Sequence, residues 1–218
     1  MNDVKTLPAG EKFDFCLLIP CFNNREGLVT SLKSVTYTSN AFLIVVVDDG
    51  STIPVSAKDI TGYITGAVKV IRLVRNEGIT RALNKGLDWI SANVNTQYVA
   101  RLDCGDICHK DRFIKQVGFL DKNPAITLLG SWCAFEDEVK GQKFTYRSPE
   151  QHKAIVRDMY LRNSFMHASI MMRLTAVKEA GFYPLDYEYA EDYALCWMLC
   201  NKAEVYIIQE SLVNCMLN

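Results

Sequence analysis

The chain carries almost no net charge: 24 Lys and Arg stand against 25 Asp and Glu, leaving −1. Without a basic surplus, nothing in the composition points to nucleic acid as a partner. No run approaches the roughly 18 uninterrupted apolar residues that a membrane-spanning helix needs. Residues 1–14 are polar, contain Pro8 and Gly10, and lack the basic region and apolar core of a secretory signal. The expected location is therefore cytoplasmic. The eight cysteines include no Cys-x-x-Cys pair and the three histidines no closely spaced pair, which argues against a zinc site. Buried reduced thiols are expected instead. The loop after the first predicted strand is Pro20-Cys21-Phe22-Asn23-Asn24. It is neither a Gly-x-Gly-x-x-Gly fingerprint nor a P-loop, which argues against a dinucleotide oxidoreductase and a P-loop nucleotidase.

What is present is an ordered alternation. The 218 residues are 49% hydrophobic and 22% charged, the balance of a globular chain. Apolar runs predict strands over Phe15–Ile19, Leu43–Val47, Val68–Leu73 and Tyr98–Leu102. Helical spacing appears between them, in Asn23–Val35, more weakly in Val55–Ile64, and most clearly in Ile79–Ile90, where Ile79, Leu83, Leu87 and Ile90 share a face. Strand and helix in alternation predict a mostly parallel sheet flanked by helices, an α/β, Rossmann-like half over about residues 14–106. The other half, about 107–218, reads as mixed. Helices are expected over Arg112–Leu120, Pro149–Tyr160, Leu174–Ala180 (stopped by Gly181) and Glu191–Cys200. Strands are expected over Ile126–Phe135, Ala168–Met172 and Val205–Ile208, with a polar turn over Glu136–Gln142. No linker separates the halves, so residues 1–218 read as one domain.

The second predicted strand ends at Asp48-Asp49-Gly50-Ser51. In an open α/β sheet, ligands bind beyond the carboxyl ends of the strands. Two carboxylates there suit a base, a ribose or a metal; a solvated turn is the plainer reading. Arg101 lies inside a predicted strand and needs a carboxylate partner if buried.

Five segments together resemble the family 2 glycosyltransferases of GT-A fold: Leu18-Ile19-Pro20-Cys21-Phe22-Asn23-Asn24; Val46-Val47-Asp48-Asp49-Gly50-Ser51-Thr52; Asn76-Glu77-Gly78 with Arg81, Ala82, Asn84 and Gly86; Ala100-Arg101-Leu102-Asp103-Cys104-Gly105-Asp106; and Ala190-Glu191-Asp192-Tyr193. Each is weak alone, but they fall in order on a βαβ pattern. The resemblance implies transfer of a sugar from a nucleoside-diphosphate donor, UDP-linked by expectation, to an acceptor hydroxyl, with inversion. It implies a nucleotide site at Pro20, Phe22, Asn23, Asp48, Asp49, Asn76, Arg81 and Asp103, with Asp48 at the base. It implies a divalent cation, Mn²⁺ or Mg²⁺, near Asp103, and Asp192 as general base. Glu191, His167 and Trp197 are candidates for the acceptor side; His167 serves equally as a structural histidine, and Trp197 as core. Arg81 faces either the diphosphate or water. The acceptor would be a glycan or a lipid-linked glycan, the latter bringing the protein to the inner face of the cytoplasmic membrane. Oligomeric state has no signature here.

Two features depart from the pattern. Gly105 stands where the family's Asp-x-Asp places its second carboxylate. Either Asp106 supplies the oxygen or the cation is held by Asp103, water and the diphosphate. Family members often carry a later histidine near the metal, and none follows His167. The alternative reading is a catalytically silent nucleotide- or carbohydrate-binding protein. A sugar-phosphate nucleotidyltransferase, which has a related sheet, is disfavoured because its glycine-rich loop is missing.

Overall fold

The apolar runs at Phe15, Leu43 and Tyr98 form strands whose two faces are both buried, so side chains alternate between two cores. The computed structural model describes residues 11–39, 41–137 and 142–217. In chain order, β1 (Lys12–Phe13) and β2 (Phe15–Cys21) precede α1 (Arg25–Ser34). Then come β3 (Phe42–Asp48), α2 (Ala57–Ile60), β4 (Ala67–Arg72) and α3 (Ile79–Asn93). Next are β5 (Asn95–Thr96), β6 (Tyr98–Arg101), β7 (Ile107–Cys108), α4 (Arg112–Lys122), β8 (Ile126–Asp137) and β9 (Gln142–Tyr146). The remainder is α5 (His152–Met159), β10 (Met171–Arg173), α6 (Leu174–Ala180), α7 (Glu191–Lys202) and β11 (Glu204–Leu217).

One sheet runs in the order β4-β3-β2-β6-β10-β8-β11-β7, with β9 alongside β8. Strands β4, β3, β2 and β6 are parallel, and β10 enters antiparallel to both β6 and β8. The sheet is thus continuous across the boundary near residue 106. On one face, Leu18, Val45 and Val47 pack with Leu83 and Leu87 of α3, Met159 of α5, Val177 of α6 and Leu195 of α7. On the other, Phe15, Leu17, Ile44 and Val46 pack with Leu28 and Leu32 of α1 and Phe113 and Leu120 of α4. Gly86 lets α3 sit close on β2: a Cβ there would lie 2.3 Å from Leu18 Cδ1.

The parallel half matches the sequence expectation element by element, with α2 shorter than the predicted stretch. The other half differs. Pro149 lies before α5, whose N-cap is Gln151, so it is not a first-turn proline. His167–Ser169 is a 3₁₀ turn, and the strand predicted there begins only at Met171. The final strand is much longer than predicted, running parallel to β8 from Glu204 to Leu217 through register shifts at Ile208–Ser211 and Ser211–Val213. A run with Gln209-Glu210-Ser211 in its middle does not look like a strand; the β8 ladder carries it across. The predicted polar turn over Glu136–Gln142 is taken at its ends by strands, Glu136 and Asp137 in β8 and Gln142 in β9, while residues 138–141 lie outside the described residues. Seven of the eight cysteines are buried and all eight are free thiols, as expected.

Phe15 is fully buried and stacks on Phe113 (ring centroids 4.6 Å apart) and Phe42 (5.5 Å), with Tyr37 edge-on at 5.1 Å. Replacing it by alanine removes the centre of that cluster. Phe15→Ala should lower the unfolding free energy by about 3–5 kcal/mol in urea titrations. A loss below about 1 kcal/mol would mean the stack contributes little beyond what relaxation recovers.

Candidate functional site

The carboxyl ends of β2, β3, β4 and β6 open on the same edge of the sheet, and the loops leaving them build the site. Asp48 ends β3. It is fully buried and spends its oxygens inward: Oδ1 accepts the Ser51 N–H (2.9 Å), while Oδ2 accepts the Val55 N–H (3.0 Å) and Arg72 Nη1 (2.7 Å). Burial pushes the carboxyl pKa up, but these donors outweigh it and hold the pKa below the ordinary value. Asp48, expected at the base, is not among the residues lining the cavity, and its carboxylate ties the turn to β4. Its neighbour Asp49 reaches the cavity wall and accepts the Glu77 N–H (2.8 Å) and the Gly78 N–H (3.0 Å). Gly50 makes the approach of these two loops possible. Its φ is +70°, and a Cβ would lie 2.3 Å from the Arg75 carbonyl carbon.

A cavity of about 360 Å³ is lined by Pro20, Phe22, Asp49, Asn76 and Asp103, together with Gly78, Ile79, Ala82 and Cys104. Five residues predicted for one nucleotide site therefore share one wall. Asn23, at φ 49°, lines an adjoining cavity with Ser51 and Thr52. It joins the two loops by accepting the Thr52 N–H on Oδ1 (2.8 Å), while its own N–H donates to Ser51 Oγ (2.9 Å). Arg81 is exposed and lines a third hollow with Arg75, Asn76 and Glu77. Lys85 is exposed to solvent.

Asp103 follows β6 and meets the partner that the buried Arg101 requires. Arg101 is fully buried; Nη2 donates to Asp103 Oδ1 (2.6 Å), Nη1 to the carbonyls of Leu18 and Leu102, and Nε to His167 Nε2 (3.2 Å). The Asp103 side chain is 37% exposed toward the cavity. Burial raises its pKa, but the Arg101 guanidinium more than reverses this and keeps Asp103 ionised. Tyr183 Oη lies 2.7 Å from the same His167 nitrogen. The Tyr183 backbone is pinned by Asn84 of α3, whose Oδ1 accepts its N–H (2.9 Å) and whose Nδ2 donates to its carbonyl (2.8 Å). His167 is therefore a half-buried acceptor within this network.

Asp106 does not join Asp103 in the cavity lining. Its Oδ1 accepts the Met216 N–H of β11 (3.1 Å), and burial, aided by the Asp103 charge, pushes its pKa up to about 6. Among the described residues, no group of three or more His, Cys, Asp and Glu side chains is arranged to hold a metal. The donor set at Gly105-Asp106 thus fits no all-protein cage. The cavity-facing carboxylate of Asp103 fits a cation that brings phosphate and water oxygens with it.

Asp192 sits in the first turn of α7. Its Oδ2 accepts Asn163 Nδ2 (3.1 Å), and burial together with the nearby Asp103 charge raises its pKa. Glu191 turns inward; it is 6% exposed, and its Oε2 has no hydrogen-bond partner among the described residues. Trp197 packs partly buried on the core and edge-on to Tyr160, at 4.9 Å. Sequence reasoning missed Arg72 and Asn163, and it read Tyr183 as a candidate contact to an acceptor sugar rather than as a partner of His167. For Arg72 a signal existed: a cation closing an apolar strand, in register with Asp48.

Burial, and then the Arg101 charge, push the His167 pKa down to about 3, so the folded chain keeps it neutral. The unfolded chain binds that proton below about pH 6.5, so stability is lost as pH falls through this range. Between pH 7 and pH 5 the wild-type protein should lose about 2 kcal/mol more unfolding free energy than His167→Gln. Equal losses in the two proteins would show that His167 titrates freely in the fold.

The amylovoran biosynthesis glycosyltransferase AmsE of Erwinia amylovora is 33% identical over 192 residues, covering 84% of this chain and 68% of that protein. An Escherichia coli UDP-Gal:alpha-D-GlcNAc-diphosphoundecaprenol beta-1,3-galactosyltransferase is 30% identical over 149 residues, 67% of this chain and 52% of that one. The structure of S. aureus TarS 1-349 with UDP-GlcNAc superposes at a TM-score of 0.76 and 18% identity, over 94% of this chain and 58% of that chain. The mannosyltransferase PcManGT of Pyrobaculum calidifontis, solved with GDP-Man and Mn2+, gives 0.64 and 14%, over 96% and 58%. This chain therefore spans a little over half the length of these solved structures. The fold is GT-A, the family described as Glycosyl transferase family 2 matches residues 16–181, and the chain belongs to that family.

Proposed function

We propose that the chain transfers a sugar from a UDP-linked donor to an acceptor hydroxyl, with inversion at the anomeric carbon. The observation that carries this reading is the single cavity shared by Pro20, Phe22, Asp49, Asn76 and Asp103, with Asp192 close enough for its proton affinity to respond to the Asp103 charge. Pro20 and Phe22 offer an apolar wall to a base, and Asp49 holds the Asn76–Gly78 loop against the ribose and diphosphate. Asp103, oriented by Arg101, would hold a divalent cation, Mn²⁺ or Mg²⁺. When bound, such a cation neutralises charge on the departing diphosphate.

Asp192 takes the proton of the acceptor hydroxyl as that oxygen bonds to the anomeric carbon and the bond to the diphosphate breaks. Its raised proton affinity suits a general base better than a freely solvated carboxylate. Asn163 Nδ2 donates to Oδ2 and the Tyr193 N–H to Oδ1 (2.7 Å), so both oxygens of the carboxylate are held in a fixed orientation. Glu191, His167 and Trp197 are the candidates for the acceptor side, with His167 acting through Arg101. The relatives named for amylovoran biosynthesis and for a diphosphoundecaprenol-linked sugar support a glycan or lipid-linked acceptor. A lipid-linked acceptor would bring the protein to the cytoplasmic face of the membrane. Among the described residues, no helix is long and apolar enough to cross it.

Gly105 and the displaced Asp106 favour one competitor, a binder without turnover. Release of UDP and free sugar from a panel of UDP-sugars with Mn²⁺ separates the two. The account expects turnover in which the anomer first released, followed by NMR, is inverted. Asp192→Asn should reduce turnover by about 10²–10⁴-fold while UDP still binds. UDP binding without turnover of any donor would establish the silent binder; a retained anomer would overturn the single displacement.

A further inference from the structure

Beside Asp192 stands a shelf of two arginines laid on aromatic rings. Arg147 lies over the Trp132 indole at 5.2 Å, and Arg162 over the Tyr146 ring at 4.7 Å. The two are coupled, since Arg162 Nη2 donates to the Arg147 carbonyl (2.8 Å), and Asp158 braces Arg162 at 3.0 Å. The rings are fixed as well: Trp132 Nε1 donates to the Ser148 carbonyl (3.0 Å) and Tyr146 Oη to the Asn163 carbonyl (2.9 Å). Asn163 is also the residue that holds Asp192. A stacked guanidinium is pre-oriented, always charged, and presents paired N–H groups that match phosphate oxygens. Both arginines are exposed, as are Lys153 and Arg157 on α5, four cations beside the carboxylates of Glu150, Asp158 and Asp192. Directly before Arg162, Tyr160 and Leu161 are 74% and 87% exposed, a large apolar area beside a basic one.

We propose that this shelf is the subsite for the anionic end of a lipid-linked acceptor. Arg147 and Arg162 hold a sugar-bearing diphosphate, and Tyr160 and Leu161 receive the start of its apolar chain. The charge complementarity and the exposed Tyr-Leu pair select this occupant over a carboxylate sugar, which would use the arginines and leave Leu161 idle. The inference rests on the transferase reading, because it makes Asp192 the group that meets the acceptor hydroxyl.

The test is calorimetric and needs no turnover. Farnesyl diphosphate, inorganic pyrophosphate and glucuronate are each titrated, without divalent metal, into protein saturated with UDP. Farnesyl diphosphate should bind. Arg147→Gln and Arg162→Gln should each weaken it roughly tenfold or more, the loss of one charge-assisted hydrogen bond. Leu161→Ser should weaken farnesyl diphosphate but not pyrophosphate. Unchanged melting temperatures identify these as binding losses rather than misfolding. Binding indifferent to both arginine variants, or glucuronate binding as tightly as farnesyl diphosphate, would overturn the proposal. UDP binding without farnesyl diphosphate binding would sink the shelf and leave the transferase reading standing. The reverse pattern would sink the donor site alone.

Discussion

The site depends on one buried charge. Arg101 sits inside the sheet with no exposure, and a guanidinium there costs several kcal/mol unless it is fully paired. Its partners are the Leu18 carbonyl of β2, the Leu102 carbonyl, the Asp103 carboxylate and the imidazole of His167. These partners come from β2, from the chain leaving β6 and from the 3₁₀ turn, so satisfying Arg101 also positions them. Asp103 is aimed at the cavity, His167 stays neutral, and Tyr183 closes against His167. A second buried guanidinium extends the arrangement: Arg112 donates to the Arg101 carbonyl (2.7 Å) and to Gln116 Oε1 (3.0 Å). Gln116 in turn donates to the Ser169 carbonyl (2.8 Å), holding the 3₁₀ turn that carries His167.

The same logic explains the two acidic pairs. Asp48 and Asp49 are adjacent but serve different layers, one tying β3 to β4, the other tying the β3 turn to the loop before α3. Glu191 and Asp192 also diverge, one inward and one toward Asn163. In both pairs a strand end or a helix start separates neighbours by direction, so chemistry assigned to a dipeptide belongs to one member of it.

Much of this was legible in the chain. Strands β2, β3 and β6 of the parallel half are short apolar runs buried on both faces, and these announce themselves without tertiary information. The need of Arg101 for a carboxylate was readable, and the partner lay two residues away. The rest required contacts distant in sequence. Asp106 could not be assigned from Asp-x-Asp spacing because the Met216 N–H, 110 positions on, claims its carboxylate. Asn163 and Tyr183 gained their roles from Asp192 and from Asn84, neither of which is near in the chain. The length of β11 was hidden because its polar middle is carried by pairing with β8 rather than by local preference. The sheet's parallel-to-antiparallel switch at β10 was hidden for a similar reason: a three-residue strand has too few positions to show a period.

The central claim is that Asp103, oriented by Arg101, anchors a metal-assisted nucleotide site despite Gly105. Calorimetric titration of UDP, with and without Mn²⁺, into the wild-type protein and into Asp103→Ala tests it most directly. The account predicts binding that Mn²⁺ strengthens in the wild type and a loss of that strengthening in Asp103→Ala. Binding that ignores Mn²⁺ in both proteins, or that Mn²⁺ strengthens equally in both, would contradict it.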